Sequence, residues 1–254
     1  MDDTAAEAYL ARIGATSPAR VDPAGLTDLM RRHLLTVAFE NLSIHLGEPI
    51  SLDEAALLDK VVGRRRGGFC YELNGAFAVL LDHLGYDVTL LAARVYGDQG
   101  PGPLFDHLTL RVDLDEPWLV DVGFGRFVAE PVRLDVRIEQ RDPAGTVRVS
   151  DTEEGDLDVE FEGQKQLRIE QRPRELADFG PTCWYQQTSP ASHFTQSLTC
   201  SLPTVSGRVT LSDRLLITTV DGERTETELG SDAEVLAAYV EHFGIVLDRL
   251  PTAP

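Results

Sequence analysis

Arg64-Arg65-Arg66-Gly67-Gly68-Phe69-Cys70-Tyr71-Glu72-Leu73-Asn74 is the stretch on which the reading of the chain turns. Its two glycines permit a tight backbone turn. The cysteine after them opens an amphipathic run in which Leu73, Phe77, Leu80, Leu81 and Leu84 share one stripe and Gly85 stops the helix. A thiol at that point meets unpaired backbone N–H groups and the positive end of the helix dipole, which stabilise a thiolate and can cradle an oxyanion. Cys70 is therefore the candidate nucleophile. The alternative is a small buried hydrophobe, as most free cysteines are. The three arginines read as a solvated helix face or an ion-pair network rather than a phosphate site.

Upstream, Tyr9, Leu10 and Ile13 recur at helical spacing, as do Leu26, Leu29 and Met30, and Leu57, Leu58, Val61 and Val62. Residues 1–85 are thus expected to form a helical bundle carrying the nucleophile. Downstream the period changes to two. Val88–Val95 and His107–Leu114 read as strands, followed by Trp118–Val122, Val147–Val149, Leu157–Phe161 and Gln166–Glu170, separated by acidic and glycine-rich turns. This predicts an antiparallel barrel or sandwich over 86–185. Pro181–Ser192 reads as a connector. Leu198–Leu202, Arg208–Leu211 and Leu215–Val220 read as strands, and Asp232–Phe243 as a helix capped by Ser231 or Asp232 and stopped by Gly244, so 186–254 forms a connector and a small α/β unit. The fold class is α+β.

A thiol nucleophile needs a base, and the base an orienting group. Of six histidines, His33, His83 and His242 lie on helical segments beside charged neighbours and read as solvated, and His45 reads as a loop residue. His107 instead opens an alternating strand on its polar face. Asp121 sits between Val120 and Val122, where an unpartnered carboxylate would be costly, so it calls for a cation or a donor. In a hairpin whose paired numbers sum to an even value, His107 and Asp121 share a face. A sum of 228 puts them directly opposite, roughly 5 Å apart at Cβ, with a turn centred on Leu114. The alternative for Asp121 is a hydrogen bond to a loop amide. His193 is the rival base, with no carboxylate placed beside it. Gly123-Phe124-Gly125 fails as a dinucleotide loop because position 128 is valine and no helix pattern follows.

The 254 residues are 43% apolar, enough for a buried core, which excludes disorder and a fibrous repeat. Lys+Arg number 23 against 42 for Asp+Glu, a net charge of −19 that repels nucleic acid and anionic membrane surfaces. The acidic start resembles no signal peptide, no run is long enough for a membrane span, and three cysteines without a C-x-x-C pair argue against disulfides and a thiolate zinc site. A cytoplasmic protein with free thiols and no metal is expected.

Arg66–Asn74, Asp106-His107-Leu108 and Val120–Gly125 resemble, in that order, the three signature segments of the arylamine N-acetyltransferases. Phe39-Glu40-Asn41-Leu42 is similar to the family's P-F-E-N-L segment, with Ala38 in place of the proline. Tyr9–Gly14 resembles its opening and Ser192-His193-Phe194 its interdomain S-H-F. Asp106 stands where threonine is common. The resemblance spans nearly the whole chain. It implies a helical bundle, a β-barrel and an α/β lid around a Cys70–His107–Asp121 triad arranged as in papain-like thiol proteases. It also implies ping-pong transfer from acetyl-CoA, a co-substrate rather than a tightly bound cofactor, to an aromatic amine or hydrazine. Phe39, Phe124 and Phe194 match the family's pocket aromatics, and Arg12 and Glu40 resemble a supporting ion pair. On so acidic a chain CoA needs local positive charge, expected at Gly125 and Arg126, with Arg66 committed to a structural carboxylate. The chain's end at Pro254 also resembles the ansamycin amide synthases, which would take a carrier-bound polyketide. Repulsion between two acidic proteins favours the small CoA thioester. A thiol hydrolase and a non-catalytic binding module are the readings from other classes, and a homo-oligomer stays open.

Overall fold

In the computed structural model, which describes residues 1–252, five helices precede the large sheet. They are α1 (Asp3–Arg12), α2 (Pro23–Leu34), α3 (Leu42–Leu46), α4 (Glu54–Leu58) and α5 (Cys70–His83), with the two-residue strand β1 (Phe39–Glu40) between α2 and α3. Asp2 and Asp22 start α1 and α2 by accepting from the N–H groups of Ala5 and Gly25, and Pro23 sits in the first turn of α2, where its missing donor costs nothing. The stripe from Leu57 to Val62 does not form one regular helix. After α4 the chain widens into a π-helical turn, Asp59–Gly63, that carries Lys60 inward. Helix α5 is not amphipathic in place: Cys70 through Ala78, Leu80 and Leu81 are all buried, so the chain wraps it on every side.

The strands that follow are β2 (Asp87–Gly97), β3 (Gly100–Pro101), β4 (His107–Asp113), β5 (Pro117–Val120), β6 (Val132–Arg133), β7 (Gln140–Asp142), β8 (Gly145–Asp151), β9 (Leu157–Phe161) and β10 (Gln164–Arg174). They pair antiparallel in the order β6-β5-β4-β2-β10-β9-β8-β7, with β3 on the end of β2. The two outer strands almost meet. The side-chain amide of Gln140 in β7 accepts from the N–H of Arg133 in β6 at 3.0 Å and donates to its carbonyl at 2.8 Å, so the sheet forms a nearly closed barrel. Its inward residues Leu110, Leu119, Val149, Val159 and Leu167 share one core with Leu73 and Phe77 of α5.

Residues expected as a connector instead form α6 (Gly180–Thr188) and the short α7 (His193–Gln196). Pro181 lies in the first turn of α6, where it is tolerated, and the expected boundary between 185 and 186 falls inside this helix. Strands β11 (Thr199–Thr204), β12 (Gly207–Ser212), β13 (Leu215–Val220) and β14 (Glu223–Glu228) make a second antiparallel sheet, covered by α8 (Asp232–Phe243). Strand β1 completes it: Phe39 pairs with Ser201 and Glu40 with Cys200. Among the described residues no helix is long and apolar enough to cross a membrane.

Candidate active site

The nucleophile candidate stands at the start of α5 because the chain before it is held in close quarters. The left-handed turn falls on Arg65 (φ 53) rather than on either glycine. Gly67 and Gly68 are needed for proximity: a Cβ on Gly67 would lie 1.8 Å from the Ala38 carbonyl oxygen, and one on Gly68 2.6 Å from Glu72 Oε2. Glu72 accepts from the Phe69 N–H at 3.2 Å, closing the first turn, and its other oxygen takes Lys60 Nζ at 2.6 Å. Lys60 and Glu72 are both buried. Beside them Arg66 Nε donates to Glu40 Oε1 at 3.0 Å. Burial opposes the charge on Glu40, but Lys60 and Arg66 outweigh it and hold its carboxyl below the usual range. The expected pair of Arg12 with Glu40 does not form. Arg12 reaches the carbonyls of Val61 and Arg65 instead, because the fold brings Arg66 to Glu40 first.

His107 is the first residue of β4, and Asp121 lies just past the end of β5. Leu110 pairs with Val120 and Arg111 with Leu119, so paired numbers sum to 230 rather than 228. The shift keeps both residues on one face and makes them diagonal neighbours instead of direct partners. His107 Nε2 meets Asp121 Oδ2 at 2.5 Å, with both side chains buried. Asp121 Oδ1 accepts from Asn74 Nδ2 at 3.0 Å and from the Gly123 N–H at 2.9 Å. Burial alone would drive His107 to neutrality; Asp121 and Cys70 reverse that and push its pKa up to about 10. Asp121 is held low despite burial, chiefly by His107. Cys70 is thus one of the two groups that keep the same imidazole charged. With Nε2 on Asp121, Nδ1 is the nitrogen left for the thiol. Gly123 closes the contact from behind, since a Cβ there would stand 2.7 Å from Cys70 Cα.

Asn74 carries no role in the sequence reading. It lies four residues after Cys70 on the same helix face, and its amide braces Asp121, the Leu108 carbonyl (2.6 Å) and the Val122 N–H (2.8 Å). That spacing was the available signal. The other thiols sit apart chemically: burial pushes Cys183 up to about 12 and raises Cys200 well above the ordinary range. His33 is buried rather than solvated, against the Tyr9 hydroxyl at 3.0 Å, and burial lowers it to about 3. His45 lies in α3, not in a loop, and exposed His193 has no carboxylate bonded to it among the described residues.

Of the three expected pocket aromatics, Phe124 stands edge-on to His107 with ring centres 5.3 Å apart, while Phe39 and Phe194 meet each other at 6.2 Å. Phe124 also lines a cleft of about 780 Å³ that runs from Asp121 past Gly125, Arg126 and Phe127 to the β11–β12 turn. Arg208 enters this cleft from β12, donating to the Gly125 carbonyl at 2.7 Å and to Ser201 Oγ at 2.8 Å. Burial, then the charge of Arg126, lowers Arg208 to about 10. Among the described residues neither Arg126 nor Arg208 forms an ion pair, although the cleft they line also carries Arg31 and the carboxylates of Asp121, Glu162 and Asp221.

Residues 23–251 match the family model described as N-acetyltransferase. The chain is 36% identical over 253 residues to the arylamine N-acetyltransferase of Mycolicibacterium smegmatis, covering 95% of this chain and 92% of that protein. The solved structure of the M. smegmatis enzyme superposes with a TM-score of 0.86 at 35% identity, covering 96% and 92% of the two chains. The Mycobacterium marinum arylamine N-acetyltransferase, solved in complex with CoA, gives a TM-score of 0.85 at 33% identity, with coverage of 94% and 92%.

Proposed function

The chain belongs to the arylamine N-acetyltransferase family of acyltransferases, and we propose that its own reaction is ping-pong acetyl transfer from acetyl-CoA to an aromatic amine or hydrazine through Cys70. The observation that carries this reading is the buried His107–Asp121 pair set beside the helix start that bears Cys70, with Gly123 packed against Cys70 and bonded to Asp121. The Cys70 sulfur attacks the thioester carbonyl, forming the new C–S bond as the bond to CoA breaks. His107, as imidazolium, gives its proton to the departing CoA thiolate. The amine nitrogen then attacks the acetyl-Cys70 carbonyl, the neutral imidazole takes a proton from that nitrogen, and the Cys70 sulfur leaves, restoring the starting state. Backbone N–H groups in the first turn of α5 are available to the oxyanion.

A thiol at a helix start facing Nδ1 of a strand-borne histidine supports a papain-like arrangement, with β11–β14 and α8 acting as the lid. Phe124, Phe39 and Phe194 suit a flat acceptor. Arg126 and Arg208, which form no ion pair among the described residues, suit the phosphates of CoA, and the CoA complex of the M. marinum relative agrees with a CoA donor. Mixing the protein with acetyl-CoA and measuring intact mass should reveal one acetyl adduct, absent in Cys70→Ala and discharged by an aromatic amine. A wild-type protein that gains no acetyl group under these conditions is not working by this route.

A further inference from the structure

The ladder between β2 and β4 runs from Asp87 opposite Asp113 to Ala93 opposite His107 and ends there. The sheet therefore fixes the backbone of His107 from one side only. On the other side the chain arrives through Phe105, whose φ of 60 is left-handed, an uncommon and strained state for a bulky side chain. The Phe105 ring is gripped by Phe179 edge-on at 5.4 Å and by the Arg174 guanidinium 4.7 Å above its face. Its backbone is gripped differently. The Tyr71 hydroxyl donates to the Phe105 carbonyl at 2.8 Å and shares the Asp106 carbonyl at 3.0 Å. Gln186 holds the Asp106 side chain at 2.9 Å but neither carbonyl.

We propose that Tyr71 is a positioning residue for acyl transfer: its hydroxyl ties the strained segment entering His107 to the helix that carries Cys70, so that imidazole and thiol hold one relative placement. Tyr71 follows Cys70 directly in α5, so thiol and hydroxyl move with one turn of one buried helix. The ring itself is fixed by Phe69 at 5.1 Å and Phe179 at 5.9 Å. Burial, followed by the neighbouring Cys70, raises the phenol far above its ordinary range, which keeps it a donor. This inference rests on Cys70 and His107 as the reacting pair and adds a residue that touches neither substrate.

Tyr71→Phe tests it while keeping every ring contact. The expected result is a fall of about tenfold in the single-turnover acetylation of Cys70 with KM values for acetyl-CoA and amine unchanged, since small misplacements of reacting groups cost rate rather than binding. The pH at which His107 releases its proton, followed by the NMR signal of its ring Cε1–H, should drop by about one unit as contact with Asp121 and Cys70 loosens. The melting temperature should stay near that of wild type. A wild-type rate and a wild-type His107 midpoint would overturn the proposal. So would a loss of rate that tracks a loss of melting temperature with the His107 midpoint unmoved. Should wild type form no acetyl adduct, the transfer reading fails, while the His107 midpoint still decides the role of Tyr71.

Discussion

Both oxygens of Asp121 are occupied, Oδ2 by His107 and Oδ1 by Asn74 and the Gly123 N–H. Asp121→Asn keeps the shape but loses the charge that holds His107 protonated, and the acetylation rate should fall by roughly 10²–10⁴, measured by stopped flow with acetyl-CoA. A variant that acetylates normally would remove Asp121 from the chemistry. The same pairing gives a signed pH effect. Because His107 sits at about 10 when folded and near 6.5 when free, its contribution to stability is complete below about pH 6.5 and fades as pH rises through about 10. Urea midpoints for wild type minus His107→Gln should therefore shrink between pH 7 and 10. Cys70, His107 and Asp121 were each legible because each breaks its local pattern: a thiol after two glycines, an imidazole opening an alternating strand, a carboxylate between two valines. Asn74 breaks no pattern, and its only signal is the four-residue spacing from Cys70, which does not say what the amide would hold. Arg12 and Glu40 fail for the same reason, as the partner of a buried charge is chosen by the tertiary fold.

Helix α5 shows how an element is aimed by its flanks. Its first turn is held by Glu72, and Glu72 by Lys60, which the π-helical turn delivers inward. Lys60→Met leaves Glu72 buried with the Phe69 N–H but without its counter-charge and should destabilise the protein by about 3–5 kcal/mol in urea titration. Substituting exposed Lys165, the only other lysine, serves as the comparison at a rim position paired with Asp158. A loss at Lys60 no greater than at Lys165 would mean that Glu72 finds another partner. Most strands and the order of elements follow from periodicity, because alternation marks a half-buried strand and proline or glycine marks its ends. The register of β4 against β5 was missed by two residues, because the turn between them centres on Asp115 rather than Leu114 and turn geometry is set by side chains that alternation ignores. Helix α6 was missed because Pro181 reads as a breaker, although at a helix start it is a good first residue.

At the level of the whole molecule the net charge of −19 opposes any anionic substrate, and the proposed CoA site sets Arg126 and Arg208 against it. Arg126→Ala and Arg208→Ala should each raise KM for acetyl-CoA about tenfold while leaving turnover of p-nitrophenyl acetate, which has no phosphates, nearly unchanged. Equal losses with both donors would assign the two arginines to the architecture instead. The place of Arg126 on the cleft follows from its position after Gly125; that of Arg208 does not, since it comes from a strand far along the chain. The mixed class and the barrel-like sheet were legible for a simpler reason, the change of period after Gly85. The joining of β1 to β11 was not, because a two-residue strand leaves no periodic trace. That short pairing has a consequence for how the protein is made. On the ribosome, Cys70, His107 and Asp121 all emerge in the first half of synthesis, but the β1 segment against which Gly67 and Gly68 rest gains its partner, and Phe39 its neighbour Phe194, only when residues 194–201 have followed. Such long-range closure is slow to form. A nascent chain therefore holds the segment before Cys70 without its β1 support until residue 201 has been translated.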